Sequence, residues 1–472
     1  MYKAYVTTLT NVRKHPNADR LLLADVFGNT VCVSTDYTEG QKVVYFPTDG
    51  QLSFEFAEKN NLLRKKDDAG NNIGGYMDPE KRNVTAIRLR GEKSDGLVLP
   101  MSCLDYCFDL GNADTWLHIG DVIDGVVNGH DVCCKYIPRT KKPRGINISH
   151  GNRTRKTKVA TAPLFKEHAD TEQLAYNLHV FKPGDEIEIT LKMHGTSQRT
   201  AHLPVLKKMK RSFWQWLRME EGAPVYDWGY VSGTRRVVLE NYEGGFYGSN
   251  EFREQHSKTF EGKLLKGETV YYEVVGFQND GKPIMGSVEN KKLQDKNFIK
   301  QYGEETVFSY GCTASGYPAN GMDGPKSHAN QSAIYVYRMT ITNEDGDVIE
   351  YSPDFMRYRC EQMGVKTVPL FGKAIISADR VHFVAPDGYD HDYLIGDGTI
   401  GDMIMKLVEE YCGGADPVGK THVREGVVVR ITNRAKFTAY KHKNFEFKCL
   451  SGLIANSAES VDAVDESVLS EL

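Results

Sequence analysis

Glu186-Ile187-Glu188-Ile189-Thr190-Leu191 alternates polar and apolar residues, the period of a strand, and Lys192-Met193-His194-Gly195-Thr196-Ser197 follows it directly. A lysine at a strand end beside a glycine can present its amine into a pocket. If that amine is desolvated or set near other cations, it gives up its proton more readily and becomes a nucleophile. By itself the same motif also describes a surface lysine in a turn.

Four segments further along the chain give the motif its meaning. Val270-Tyr271-Tyr272-Glu273-Val274-Val275-Gly276 is a β run with one carboxylate in its middle. A charge inside an apolar strand is costly without a partner, so Glu273 is expected to hold either a core hydrogen bond or a ligand hydroxyl. Ile334-Tyr335-Val336-Tyr337-Arg338-Met339-Thr340 alternates its tyrosines, so one face is aromatic, suited to a core or to stacking on a base. Arg424-Glu425-Gly426-Val427-Val428-Val429-Arg430 places a carboxylate at the head of a strand, and in Ala439-Tyr440-Lys441-His442-Lys443-Asn444-Phe445 the two lysines alternate, so both amines fall on one side.

The ordered set KxHG, YYEVVG, YVYRM, EGVVVR and KHKN resembles the nucleotidyltransferase motifs I, III, IIIa, IV and V of covalent ATP-dependent ligases. The KxHG form resembles the RNA ligase 2 and editing-ligase branch; Ser197 stands where Asn is usual there, and Leu191 where an acidic residue is often found. Val231-Ser232-Gly233-Thr234-Arg235-Arg236 resembles motif Ia, with Arg235 or Arg236 as its functional arginine. The resemblance implies Lys192 as the residue that becomes AMP-lysine, with Lys441 and Lys443 flanking the α-phosphate and Arg430 aiding them. It implies His194 and Gly195 in the nucleotide-binding loop, with His194 orienting that loop. Glu273 accepts from the ribose and Tyr337 stacks on adenine; Glu425 lies near a divalent metal, Mg²⁺ or Mn²⁺. Arg235, Arg236 and Arg430 are the implied RNA contacts.

The first 135 residues read differently. Ala4–Leu9, Leu21–Val26, Val31–Ser34, Lys42–Phe46, Val84–Arg90 and Gly96–Leu99 are short apolar runs separated by turn residues, the pattern of a small barrel, while the polar 55–82 stretch reads as a long loop. His15-Pro16-Asn17-Ala18-Asp19-Arg20-Leu21 resembles the opening of tRNA-binding OB modules. An OB-like domain ahead of the ligase domain, with the chain ending soon after motif V, resembles the RNA ligase 5 group of the Deinococcus and Naegleria type.

The expected architecture is therefore α+β. An OB-like β-barrel domain (1–137) and a basic linker (138–160) precede an α+β nucleotidyltransferase domain with antiparallel sheets (161–455) and an acidic tail (456–472). Within the large domain, Lys207–Met219 and Asp402–Tyr411 read as helices. Lys207–Arg218 mixes Lys207, Lys208, Lys210, Arg211 and Arg218 with Phe213, Trp214 and Trp216, which suits either RNA contact or an amphipathic helix. Gly414-Ala415-Asp416-Pro417-Val418-Gly419-Lys420-Thr421 satisfies the P-loop pattern, but a helix precedes it and a strand follows, the reverse of what phosphate binding needs; it reads as a helix-to-strand turn.

Charge supports a polynucleotide partner only once it is divided. Lys plus Arg is 59 and Asp plus Glu 63, a net −4 that excludes a histone-like surface. Residues 139–158 nonetheless hold eight basic residues and no acid, while 456–472 hold five acids and no base. No apolar run reaches the length of a membrane span. Nine cysteines without a CxxC pair point to reduced thiols rather than zinc or a disulfide framework, hence to a cytoplasm, the host's if the owner is a virus. The function implied is an ATP-dependent RNA ligase acting in RNA repair. It joins 3′-hydroxyl and 5′-phosphate ends through lysyl-AMP and an adenylylated RNA end, with ATP and RNA as partners and no membrane or obligate protein partner evident. The alternatives are a noncatalytic OB-type RNA-binding protein, and a DNA ligase or capping-type nucleotidyltransferase.

Overall fold

The computed structural model describes residues 2–68, 70, 72–137, 160–168, 171–210, 222–239, 242, 247, 249–315 and 331–456. The basic stretch 139–158, the aromatic–basic residues 211–218 and the acidic tail beyond 456 lie outside the described residues. The chain divides into two compact units: one holds the described parts of 1–140, 288–305 and 443–461, the other those of 141–287 and 306–442.

The first unit is built from short antiparallel strands. One sheet runs in the order Leu97–Pro100, Lys42–Phe46, Ala4–Thr8, Val122–Ile123, and another is the meander Thr10–Lys14, Leu21–Val26, Asn29–Ser34. Phe27 and Gly28 join the last two strands with positive φ at both positions (49° and 75°), the backbone of a tight hairpin turn. Ala4, Val6, Val44, Phe46, Leu52, Phe56 and Leu104 make the centre of the core. Among the described residues no sheet closes into a ring, so the pairings establish an antiparallel β unit and not a closed barrel. The 55–82 stretch is not one long loop: Phe54–Lys59 is a helix, because the Ser53 side chain accepts from the Phe56 N–H and the helix buries Phe56 and Ala57.

The helix Phe445–Asn456 belongs to this unit. Lys448 Nζ lies 2.5 Å from Asp95 Oδ2, Arg88 reaches Glu446 at 3.0 Å, and the Phe445 ring lies under Arg88 and Lys93.

The second unit is α+β and carries two mostly antiparallel sheets. The seven-stranded sheet runs Glu172–Gln173, Thr438–Lys443, Gly426–Ile431, Glu186–Lys192, Leu370–Ile376, Arg380–Val384, Asp390–Leu394. Ile187, Ile189, Val427, Val429 and Ile431 give it an apolar face, against which the helix Ile400–Cys412 packs Ile404, Leu407 and Val408. A capping box between Thr399 and Asp402 fixes where that helix starts. The other sheet runs Ala223–Gly233, Thr196–Lys210, Glu268–Gly276, Ser332–Thr342, Val348–Glu350, with Lys366–Thr367 alongside Ser332–Thr342.

Lys207–Lys210 does not begin a helix. It is the end of the 15-residue strand Thr196–Lys210, because Lys208, Met209 and Lys210 continue the ladder opposite Val225, Pro224 and Ala223. The expected helix at 402–411 and the strands at 186–191, 269–275 and 333–342 are present. No helix among the described residues is long and apolar enough to cross a membrane.

Candidate active site

Lys192 is the last residue of Glu186–Lys192 and pairs with Gly426, the first residue of Gly426–Ile431. Glu425 immediately precedes Gly426, just outside the strand, where Gly426 has a φ of +150°. Lys192 Nζ lies 2.8 Å from Glu425 Oε1, with the carboxylate 4% exposed and the amine 22%. His194 Nδ1 stands 3.7 Å from Glu425 Oε2.

The turn Met193-His194-Gly195 carries the chain from one sheet to the other: Lys192 still pairs with Gly426, and Thr196 already pairs with Val274. The His194 N–H donates to Tyr310 Oη at 2.6 Å, and the His194 ring meets Phe308 edge-on at 4.6 Å. Gly195 is required by close approach, since a Cβ there would sit 2.6 Å from the Val274 carbonyl oxygen. Arg253, fully buried, donates to Thr196 Oγ1 at 2.5 Å and to the Ser197 carbonyl at 3.1 Å, holding the start of the next strand.

In the second sheet Ser197, Glu273 and Tyr335 form one cross-strand row. Tyr337, two residues on, shares a 3.0 Å hydrogen bond with Ser197 Oγ, and its half-buried ring lies 5.4 Å from that of His168. Burial, then the Glu273 charge, push the Tyr337 phenol well above the usual phenol range, so it stays neutral; Arg235 works against that rise. Lys192, His194, Gly195 and Glu425 thus meet at the crossover, with Ser197, Glu273 and Tyr337 along the strands that leave it. Arg235 and Arg236 lie on the bend after Ala223–Gly233, where the Arg235 carbonyl accepts from the His168 N–H at 3.1 Å.

Three further expected cations, Arg430, Lys441 and Lys443, lie on the strands Gly426–Ile431 and Thr438–Lys443. Arg430 is 6% exposed and sits opposite Glu188; it donates to the Tyr351 carbonyl at 2.9 Å, stands 3.7 Å from Glu350 and stacks on Phe437 at 5.1 Å. Its guanidinium is a pin between the sheets, too deeply buried to meet a polynucleotide surface. Lys441 is half-buried on Thr438–Lys443, opposite Gln173, while His442 points the other way and meets Glu409 Oε1 at 2.7 Å. Lys443, where the chain passes into the N-terminal unit, lies 3.6 Å from Asp49.

The P-loop-like segment is a turn between the helix Ile400–Cys412 and the strand Gly426–Ile431. Asp416 Oδ1 takes the Val418 and Gly419 N–H groups at 2.8 and 3.1 Å, which occupies the donors a phosphate would need. No cluster of three or more His, Cys, Asp or Glu side chains that could hold a metal occurs among the described residues. Glu425 is a hard oxygen donor, and Mg²⁺ is commonly held by one or two carboxylates together with substrate phosphates, so the donor type fits such an ion. Tyr310, Phe308, Arg253 and His168 were not singled out by sequence; none belongs to a motif.

No family model matches the chain, and no curated protein matches its sequence. Solved structures do match. A Naegleria gruberi RNA ligase with ATP and Mn aligns at 12% identity over 94% of this chain and 98% of that one, with a TM-score of 0.50. The same ligase with AMP and Mn aligns at 13% over 94% and 97%, TM-score 0.51, and with pyrophosphate at 14% over 94% and 97%, TM-score 0.50. The fold is similar to that of these RNA ligase structures. The Naegleria gruberi enzyme shares it over nearly the full length of both chains, the N-terminal unit included.

Proposed function

We propose that the protein is an ATP-dependent RNA ligase that uses Lys192 as its nucleophile. The observation that carries this reading is the buried carboxylate of Glu425 set 2.8 Å from the Lys192 amine at the point where the chain crosses between two sheets. An amine must lose a proton before it can attack, and Glu425 Oε1 is a base within hydrogen-bond reach. In the first step the Lys192 Nζ–Pα bond forms and the bond from Pα to the bridging oxygen breaks. Pyrophosphate leaves, and the ammonium proton passes to Glu425.

Lys441 and Lys443, alternating on one strand, are the proposed cations for the α-phosphate, whose charge an attacking amine must not face unscreened. Glu273 is the proposed acceptor for ribose hydroxyls and Tyr337 the adenine-side aromatic, with its hydroxyl already tied to Ser197. Glu425 would also hold a divalent cation, Mg²⁺ or Mn²⁺, which supplies charge neutralisation to the leaving pyrophosphate. Arg235 and Arg236 are the proposed RNA contacts. AMP then moves from Lys192 to an RNA 5′-phosphate, and a 3′-hydroxyl displaces it as the ends join.

RNA repair in a cytoplasm, with the N-terminal β unit acting as an OB-like nucleic-acid-binding module, is the setting this reading proposes. The structural likeness to RNA ligases that were solved with ATP, AMP and pyrophosphate supports the ATP-dependent ligase reading itself. The test is a pair of nicked duplexes, one with an RNA 3′-hydroxyl end and one all DNA. Sealing of the first alone is expected; sealing of the all-DNA nick alone would make this a DNA ligase.

A further inference from the structure

We infer that Tyr310 is a positioning residue for Lys192, held in place by the turn 414–422; this rests on the proposed adenylylation of Lys192. The phenol oxygen of Tyr310 accepts the His194 N–H at 2.6 Å. That N–H lies two residues past the nucleophile, in the turn that sets the direction in which Glu186–Lys192 ends. The next residue of the same turn, Gly195, is packed against Val274, so the turn is held by a hydrogen bond to Tyr310 at one residue and by a steric contact at the next.

Tyr310 is itself held by an unusual backbone. Its φ is +50°, a left-handed conformation that a bulky residue adopts only when its surroundings impose it. Those surroundings come from the P-loop-like segment. His422, fully buried, meets the Tyr310 ring edge-on at 4.6 Å and Phe308 at 5.2 Å. Phe308 in turn meets the His194 ring. Asp416, also fully buried, shapes the segment by accepting the Val418 and Gly419 N–H groups, and its backbone N–H donates to the His422 carbonyl at 2.8 Å. Gly419 lies so close that a Cβ would stand 3.1 Å from Tyr310 Cα and 3.2 Å from His422 Nε2. Burial keeps the Tyr310 phenol well above its ordinary pKa, so the oxygen remains a neutral acceptor. The motif that cannot bind phosphate thus buttresses the residue that aims the nucleophile.

Tyr310→Phe keeps the ring and removes only the acceptor. In single-turnover adenylylation with labelled ATP, it is expected to slow the rate constant at saturating ATP about tenfold and to leave the half-saturating ATP concentration unchanged. A merely structural role would lower the melting temperature and leave the rate constant of the folded protein as it was. A labelled wild type with Tyr310→Phe at the wild-type rate overturns this inference alone, whereas an unlabelled, folded wild type overturns the functional reading and the inference together. If Tyr310→Phe does not fold, Gly419→Ala serves: its methyl pushes on Tyr310 Cα, the same loss of rate is expected, and a wild-type rate overturns the inference.

Discussion

Glu425 meets Lys192 at 2.8 Å from just outside the strand whose first residue, Gly426, pairs with Lys192, and the ion pair closes over a carboxylate that is almost wholly buried. Paired residues of an antiparallel ladder share a face and their neighbours take the other, so Glu425 reaches Lys192 from beyond the end of the ladder. The lysine is thus fixed on a strand and the carboxylate at the end of the neighbouring one.

Glu425→Gln preserves the shape and removes the base. General-base catalysis contributes about 10²–10⁴ in rate, so adenylylation of Lys192 is expected to fall by at least about 10². Single-turnover labelling with the folded variant measures it, and an unchanged rate would remove Glu425 from the mechanism.

Gly195→Ala places a methyl 2.6 Å from the Val274 oxygen and 2.7 Å from Val275 Cγ1. Backbone cannot yield as a flexible side chain can, so the crossover shifts, at a cost of about 1–3 kcal/mol. A lower melting temperature together with slower adenylylation is expected; a variant that melts and labels like the wild type would show that the turn has slack.

His256 gives a pH signature of stability. Burial holds its pKa at about 4, against 6.5 for a free imidazole, and its Nε2 lies 2.8 Å from Ser332 Oγ. Between those values the unfolded chain takes up a proton that the folded protein refuses, so stability rises with pH across the window and is lost as pH falls through it, by up to about 3 kcal/mol. His256→Gln removes the titration and keeps a polar partner for Ser332. Denaturant unfolding from pH 4 to 7 is expected to show a flatter acid limb in the variant; superimposable limbs would contradict the assignment.

Lys448→Met tests how the C-terminal helix is held to the N-terminal unit. Asp95 is 5% and Lys448 14% exposed, and leaving the buried carboxylate unpaired is expected to cost about 3–5 kcal/mol. Thermal unfolding that matches the wild type would show that Phe445 and Glu446 suffice.

What sequence revealed and what it hid follow from the range of each interaction. Lys192, Glu273 and Tyr337 were legible as strand-borne residues because period-2 alternation is local, Glu425 as the carboxylate at the head of a strand, and the turn at 414–421 because a helix before it and a strand after it are both visible nearby. The helix expected from Lys207 failed for the same reason reversed. Lys207–Lys210 has no apolar alternation, and only the ladder with Ala223–Gly233 makes it a strand. Tyr310 was invisible: a single aromatic in a loop gains its meaning from His194 and His422, residues far from it in the chain. Arg430 looked like a phosphate contact in its motif; only the folded chain shows Tyr351, Glu350 and Phe437 closing over it.

Lys192 is the proposed carrier of AMP. The direct measurement is reaction of the full chain with ATP and Mg²⁺, followed by proteolysis and peptide mass analysis to locate the adenylyl group. AMP is expected on the peptide containing Lys192, released by added pyrophosphate and absent from a folded Lys192→Ala variant. AMP on a different residue, or a folded wild-type protein that acquires none, would contradict it.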